Sequence, residues 1–203
     1  MAYWHERLPL RTFGPVALAI ACPAQVPAFR GLGAFAIDSA IAWLLLAQFR
    51  LWDDLADRGR DRKRHPHRVL ARTTHAGRYV LLCVALALVN TLVLGVRDRA
   101  ALTLLLLAGL TLALAVAYTR RDRSTTVDLF RLAKYPVFVL LIASSHPEGL
   151  TTVAYAGAIA AFLAAFTYEL WHDPEARRTW HVARDKPHVA RRTSHVARDG
   201  SHR

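Results

Sequence analysis

Cysteine and acidic residues are scarce in this sequence. The two cysteines, Cys22 and Cys83, lie in apolar stretches, so we interpret both as small core residues that form neither a disulfide framework nor a metal site. Asp and Glu number 15 against 27 Lys and Arg, which gives a formal net charge of +12. So much charge in a chain that is 54% hydrophobic is unusual for a soluble domain.

The N-terminus lacks the features of a cleavable signal peptide. It has no compact apolar core followed by a small-residue cleavage site, so we expect no cleavage there. Residues 1–11 are predicted to form a cytoplasmic lead-in, in which Tyr3 and Trp4 suit the membrane interface.

Apolar residues fall into blocks of membrane length, and the charged residues lie between the blocks. We predict six spans, at about residues 12–29, 31–50, 79–96, 100–118, 132–145 and 150–171. The first block contains Pro23 and Pro27, which a helix bundle tolerates when neighbouring helices satisfy the freed backbone groups. The predicted fold class is therefore all-α, a polytopic membrane helix bundle of about six transmembrane helices over residues 12–173.

The distribution of basic residues predicts the orientation. With a cytoplasmic N-terminus, 24 of the 27 Lys and Arg fall in cytoplasmic segments, and only Arg30, Arg97 and Arg99 fall outside. Such a bias is typical of the positive-inside rule. We therefore expect an integral protein of the cytoplasmic (inner) membrane, with both termini and residues 51–78 in the cytoplasm.

Four aspartates follow the second apolar block: Asp53, Asp54, Asp57 and Asp61. If the helix continues through them, positions 53, 57 and 61 share one face, and position 54 lies on its margin. Carboxylates crowded on one helical face repel each other unless a cation lies between them. A hard divalent ion such as Mg²⁺, shared with substrate phosphates, suits such a set of oxygen ligands.

Basic side chains are interleaved with these aspartates and follow them. The set comprises Arg58, Arg60, Arg62, Lys63, Arg64, Arg68 and Arg72. Carboxylates that hold a metal beside guanidinium groups that hold phosphate oxygens indicate a diphosphate site. The alternative is a solvated, salt-bridged helix face, which alternating Asp and Arg at helical spacing also produce.

Other polar residues within the apolar blocks are candidates for buried contacts. We expect Asp38 to face the bundle and form hydrogen bonds there, although an acid inside a membrane is also a candidate functional residue. Asn90 is expected to form an interhelical hydrogen bond. Lys134 is placed either to extend to the membrane surface or to reach a phosphate. Glu169 and Asp173 form a second, weaker i, i+4 acid pair.

Histidines in the loop after the aspartates do not indicate a metal site. His65 and His67 flank Pro66, and His75 follows, but the spacing matches no zinc pattern and the surroundings are cationic. We predict that residues 62–78 form a basic loop.

The C-terminal tail differs in kind from the rest of the chain. From His181 it repeats every seven residues, as HVARDKP, HVARRTS and HVARDGS. One valine per repeat, together with Pro187 and Gly200, argues against a coiled coil. We expect residues 174–203 to be a disordered basic tail. It either lies on anionic lipid or is a dispensable extension.

The run DDLADRGRD, from Asp53 to Asp61, resembles the first aspartate-rich motif of the UbiA family of intramembrane prenyltransferases. That motif is usually N-x-x-x-D-x-x-x-D closed by an Arg-Pro-Leu-like segment. Asp53 stands at the Asn position, and Arg68 matches the arginine, with Val69 in place of the proline. The segment LAKYP, residues 132–136, is similar to the lysine-and-proline region of the family, and Tyr168-Glu169 to the start of its second motif. The second aspartate cluster is incomplete.

The resemblance implies Mg²⁺-dependent transfer of a prenyl group from a polyprenyl diphosphate to an acceptor within the membrane. It implies catalytic roles for Asp54, Asp57 and Asp61, and diphosphate contacts for Arg68 and Lys134. The implied metal ligands are Asp53, Asp54, Asp57, Asp61, Glu169 and Asp173. The expected partners are the polyprenyl diphosphate, an unidentified acceptor and membrane lipid, and no nucleic acid is expected.

Two other functions compete with this interpretation. The run DDLAD also matches the D-D-x-x-D of soluble isoprenoid synthases, but apolar blocks of membrane length argue against a soluble enzyme. The second alternative is a truncated or diverged UbiA-like membrane protein without activity, which binds lipid or a partner through half a site.

Overall fold

The structure is a computed structural model, and it describes residues 2–26, 28–119 and 125–172. These residues are helical apart from short connections, and none of them forms a strand. The helices are α1 (Ala2–Arg7), α2 (Leu10–Gln25), α3 (Leu32–Arg64), α4 (Val69–Arg72), α5 (Ala76–Gly95), α6 (Ala100–Thr119), α7 (Thr125–Leu132), α8 (Lys134–Ser144) and α9 (Thr152–His172).

Helix α3 is the central element of the bundle. It begins after Gly31, whose positive φ of 97° makes the tight turn from α2, and it ends before His65 and Pro66 because the residue before a proline disfavours helical geometry. Its 33 residues span about 50 Å, whereas the hydrocarbon core of a bilayer is about 30 Å thick. The helix therefore continues without a break through the aspartates, which is the condition for Asp53, Asp57 and Asp61 to share one face.

Among the described residues, four helices are long and apolar enough to cross a membrane: α3, α5, α6 and α9. Helices α2 and α8 have 16 and 11 residues, fewer than the roughly 20 that one span needs. Helix α2 stops where Val26 takes an extended conformation before Pro27. The membrane character of the fold is supported, and the count of six spans stays a prediction.

Aromatic and aliphatic side chains from several helices form the core. Phe49 on α3 and Phe138 on α8 are fully buried, and their ring centroids lie 5.2 Å apart. The outward faces of α5 and α6 are also apolar, with large side chains such as Leu81 and Leu105 about 70% exposed. Apolar residues this exposed along whole helices are what a lipid-facing surface requires.

Two polar residues inside the bundle form the contacts predicted for them. The Asn90 amide donates hydrogen bonds to Gln48 Oε1 at 2.7 Å and to the Leu44 carbonyl at 3.3 Å, which joins α5 to α3. Asp38 is completely buried and is hydrogen-bonded to side chains of other elements. Ser39 takes no part in those bonds, since its hydroxyl donates to the carbonyl of Phe35.

Two predicted irregular regions contain helix. The loop predicted at residues 62–78 is shorter, because α3 extends to Arg64 and α4 forms within the remainder. The N-terminal lead-in is also packed more closely than an interfacial segment would be. Tyr3 and Leu8 are 2% and 3% exposed, and they lie against α3.

The two ends of the bundle carry different polar groups. The α2–α3, α5–α6 and α8–α9 connections meet at one end, where Arg30 and Arg97 both contact His146. The aspartate-rich part of α3, together with α1 and α4, lies at the other end. The three basic residues expected outside the cell are thus on the side opposite the aspartates.

Candidate functional site

The four aspartates project from the C-terminal part of α3 within a narrow arc. At about 100° per residue, positions 53, 57, 61 and 54 fall in that order across about 100° of the helix circumference. This arc is wide enough to bring different neighbours to its two edges. Asp53 and Asp57 face helices later in the chain, whereas Asp54 and Asp61 face α1 and α4.

Asp53 forms the centre of what we call the central cluster: Asp53, Asp57, Tyr118, Arg131 and Lys134. The Tyr118 hydroxyl, from the end of α6, donates to Asp53 Oδ1, and the Lys134 ammonium, at the start of α8, donates to Asp53 Oδ2. The Lys134 and Asp53 side chains are only 7% and 13% exposed. A charge so shielded from water needs its counter-ion, so this pair holds the start of α8 against α3.

Asp57 extends the central cluster by one helical turn. Arg131 NH1 lies 3.4 Å from both carboxylate oxygens of Asp57, a longer contact than the Lys134–Asp53 bond. The Arg131 guanidinium also lies over the Tyr118 ring, 4.7 Å from its centroid, which is a favourable cation–π arrangement. Two acids, two bases and a phenol thus converge at one end of the bundle.

Asp54 anchors the N-terminal helix. Its carboxylate accepts a hydrogen bond from the Tyr3 hydroxyl at 2.9 Å and one from Arg7 Nε at 2.8 Å. Burial raises the pKa of the Tyr3 phenol well above its usual value, and the negative charge of Asp54 raises it further. Burial lowers the pKa of Arg7, but the hydrogen bond and the charge of Asp54 raise it by more. The folded state therefore favours a neutral phenol and a charged guanidinium beside the carboxylate.

Asp61 fixes the short helix α4. Arg68 NH1 lies 2.7 and 2.8 Å from the two carboxylate oxygens of Asp61. Arg58 donates to the carbonyls of Leu70 and Thr73, at 3.2 and 2.7 Å, so it satisfies backbone groups at the end of α4. Part of the basic set predicted for phosphate thus stabilises the chain that follows the aspartates.

The aspartates are neutralised by basic side chains in this arrangement. Each of the four carboxylates contacts an Arg or Lys side chain. Among the residues that the structure describes, no three His, Cys, Asp or Glu side chains are arranged to hold a metal ion. The donor chemistry of Asp53 and Asp57 still suits Mg²⁺, which prefers carboxylate oxygens.

Glu169 and Asp173 were the other predicted metal ligands. Glu169 is exposed near the end of α9. Asp173 and the repeats of the tail lie outside the described residues. His65 and His67 lie close together, with ring centroids 5.9 Å apart.

Sequence reasoning missed four members of the site: Tyr3, Arg7, Tyr118 and Arg131. Their partners lie 47 or more positions away along the chain, so no local spacing reveals the pairing. The sequence held one general signal for these partners. Each is an aromatic or basic residue close to a helix end, and the aspartates also lie near a helix end.

Searches against families of known proteins, curated proteins and solved structures find no match to this chain.

Proposed function

We propose that this chain is an integral membrane prenyltransferase of the UbiA type, which binds a polyprenyl diphosphate with Mg²⁺ and transfers the prenyl group to an acceptor. The observation that supports the proposal is the central cluster, where Asp53 and Asp57 contact Lys134 and Arg131 at one end of an apolar bundle. A metal-bound diphosphate requires both kinds of group. Ionisable residues so placed in a membrane bundle are candidates for a functional site.

The basic members of the central cluster have a direct role in this proposal. Lys134 and Arg131 exchange their carboxylate partners for the oxygens of the diphosphate, and Asp53 and Asp57 are thereby freed to hold the metal. When bound, Mg²⁺ supplies Lewis-acid neutralisation of the charge on the leaving diphosphate. Tyr118 keeps the Arg131 guanidinium oriented through the face of its ring.

Roles for the other predicted residues follow from the resemblance to the UbiA motif. Asp54 and Asp61 complete the acidic face, although in the ligand-free state they hold Arg7 and Arg68. Arg68 reaches phosphate only after it leaves Asp61. Glu169 and Asp173 contribute a second, incomplete acidic pair.

The proposal includes the six-span topology, with the aspartates and both termini in the cytoplasm. In this arrangement the shorter helices α2 and α8 lie within the bilayer beside the four longer helices. The positive-inside distribution of 24 of the 27 basic residues supports the orientation.

A membrane protein without transferase activity is the second candidate. The observation that favours it is the pairing of all four carboxylates with basic side chains. In that case the acidic face joins α1, α4, α7 and α8 to α3, and no metal or diphosphate is needed.

Binding of farnesyl diphosphate to the protein in nanodiscs separates the two candidates. With Mg²⁺ we expect binding, and a chelator should abolish it. Asp57→Asn should weaken it roughly a hundredfold, since a lost charge-assisted contact typically costs about 2–3 kcal/mol. Asp98→Asn is the matched control, because Asp98 is an exposed aspartate at the opposite end of the bundle. It should leave the affinity unchanged.

The outcomes differ clearly. Metal-independent binding that is equal in wild type and Asp57→Asn contradicts the proposed site and favours the structural role. Metal-dependent binding together with turnover against an aromatic acceptor supports a transferase. Metal-dependent binding without turnover supports the site and contradicts the transfer reaction.

A further inference from the structure

An exposed basic surface lies where α3, α4 and α5 meet at the aspartate end of the bundle. Arg72 ends α4, Arg78 lies in the first turn of α5, and both side chains are exposed. Arg62 is exposed near the end of α3, and its Nε donates a hydrogen bond to the carbonyl of Ala71 at 3.3 Å. This bond brings a third guanidinium group to the residue before Arg72.

The three arginines have no acidic partners in the part of the chain that the structure describes: none of them forms an ion pair there. Asp61, the residue before Arg62, is bound by Arg68, and Glu6 accepts a hydrogen bond from the backbone N–H of Val69. Guanidinium groups without carboxylate partners favour an external anion, and their planar fork suits phosphate oxygens in particular.

An apolar stripe runs along α5 away from this basic surface. Leu81, Leu88 and Leu92 are 70%, 60% and 68% exposed, and they lie within about 40° of one another on the helix circumference. Arg78, three positions before Leu81, lies on the same face. The stripe is about 16 Å long, close to the thickness of one hydrocarbon leaflet, which is about 15 Å. A lipid whose phosphate lies at Arg78 can therefore place an acyl chain along the whole stripe.

Tyr79 indicates the depth of the basic surface in the membrane. It follows Arg78 directly, and the uncharged, apolar run of α5 begins with it. Tyrosine at the end of an apolar run is typical of the level of the lipid headgroups. Arg78 is therefore placed at the depth of the lipid phosphates.

We propose that this surface binds an anionic phospholipid from the surrounding leaflet. The phosphate of the lipid contacts the arginines, and one acyl chain lies along the leucines. A zwitterionic lipid adds an ammonium group that the arginines repel, so the surface favours a lipid with net negative charge. We call these six residues the α5 lipid site: Arg62, Arg72, Arg78, Leu81, Leu88 and Leu92. The site shares no residue with the central cluster, so it is separate from the function proposed for the aspartates.

Quenching by brominated lipids measures which lipid occupies this site. A bimane label is attached at Val84→Cys, beside the stripe, in a background with Cys22 and Cys83 replaced by Ser. The labelled protein is reconstituted in phosphatidylcholine vesicles that contain increasing fractions of brominated phosphatidylglycerol, or of brominated phosphatidylcholine for comparison. Phosphatidylglycerol should bind at least fivefold more tightly, since one basic side chain contributes about that factor at an anionic surface.

Leu163→Cys on α9 is the matched label position. Val84 and Leu163 are 50% and 54% exposed, and they lie eight and nine positions from the ends of their helices at the aspartate end. Helix α9 contains Glu169 and no Arg or Lys, so the two lipids should quench the label equally there.

Arginine variants test which side chains select the lipid. Replacement of Arg62, Arg72 and Arg78 by Gln should bring the ratio of the two binding constants at Val84 to about one. Arg11→Gln, which removes an exposed arginine of α2, should leave that ratio unchanged. The comparison of the two label positions uses the wild-type arginines, so it decides the matter even if the triple variant fails to fold.

Farnesyl diphosphate distinguishes a lipid site from a part of the proposed diphosphate site. Added with Mg²⁺, it should leave the quenching at Val84 unchanged, because the α5 lipid site lies outside the central cluster.

Four results would overturn the proposal. One is equal binding of the two lipids at Val84, and another is an equal preference for phosphatidylglycerol at Leu163. The third is a preference that survives in the triple arginine variant. The fourth is displacement of phosphatidylglycerol by farnesyl diphosphate, which would assign the arginines to the diphosphate ligand.

Discussion

Lys134, the first residue of α8, donates a hydrogen bond to Asp53 on α3, 81 positions earlier in the chain. Both side chains are largely buried, so each depends on the other for neutralisation. This pair joins α3 to α8. The sequence suggests that these two helices are partners only because each contains a segment that resembles a motif of the same family.

Replacing Lys134 by Met should destabilise the protein strongly. Asp53 would remain as a buried charge without its cation, which typically costs about 3–5 kcal/mol. The measurement is the free energy of unfolding in mild detergent. Lys63→Met, at an exposed position of α3, is the control and should change it by less than about 1 kcal/mol. Adding Asp53→Asn to Lys134→Met should restore part of the loss, and equal effects of the two lysine variants would contradict the buried pair.

Gly157 permits close packing of α9 on α2. A Cβ at this position would lie 2.3 Å from Cγ of Pro23, a rigid ring that cannot move aside. Gly157→Ala should therefore lower the free energy of unfolding by about 1–3 kcal/mol, as overpacking of a close contact does. Gly109→Ala on α6 is the matched control, because nothing lies within 4 Å of its Cβ position. It should be neutral or stabilising by up to about 1 kcal/mol. A similar effect of both substitutions would show that α9 and α2 are not in close contact.

Tyr3 should make stability depend on alkaline pH. Its pKa is raised above the usual value of about 10, so its contribution is complete below that pH and is lost as pH rises towards the folded-state pKa. Tyr3→Phe should lower the free energy of unfolding by about 1–2 kcal/mol at neutral pH, through the lost bond to Asp54. Above about pH 10, the wild type should lose stability faster than the variant, by about 1.4 kcal/mol per pH unit.

Unfolding measured as a function of pH checks the Tyr3 prediction. Tyr155→Phe, at a residue of α9 that is 49% exposed, is the matched control. Equal slopes for wild type and Tyr3→Phe would mean that Tyr3 ionises as it does in the unfolded chain.

Cysteine labelling tests which side of the membrane each end of the bundle faces. Arg62 and Glu148 are both exposed, near the end of α3 and in the α8–α9 turn respectively. In a background with Cys22 and Cys83 replaced by Ser, an impermeant maleimide should label Glu148→Cys in intact cells and Arg62→Cys only after lysis. Labelling of Arg62→Cys from outside would reverse the proposed orientation.

The shared face of the aspartates could be inferred from the sequence because it depends on local periodicity. If the apolar block continued as one helix, the i, i+4 spacing placed Asp53 and Asp57 on one face, and the structure contains that helix. The burial of Asp38 and the interhelical bond of Asn90 also followed from the cost of unsatisfied polar groups in an apolar environment.

The partners of the aspartates could not be predicted in this way. The contact of Arg7 with Asp54 depends on how α1 packs along α3. The contact of Arg131 with Asp57 depends on how α7 is placed relative to α3. Basic residues were abundant enough near the aspartates for several pairings to satisfy the same charges. The contacts of His146 were likewise invisible, because its neighbours come from two separate connections and from α3.

Helix α3 mechanically links the two polar ends of the molecule. Asp38 and Asp53 lie 15 positions apart on it, about 22 Å along the axis, with neither glycine nor proline between them. A helix without such a hinge moves as a rigid rod, so a shift or rotation of α3 at Asp38 displaces Asp53 as well. The polar groups at the two ends of the bundle are therefore mechanically coupled through α3.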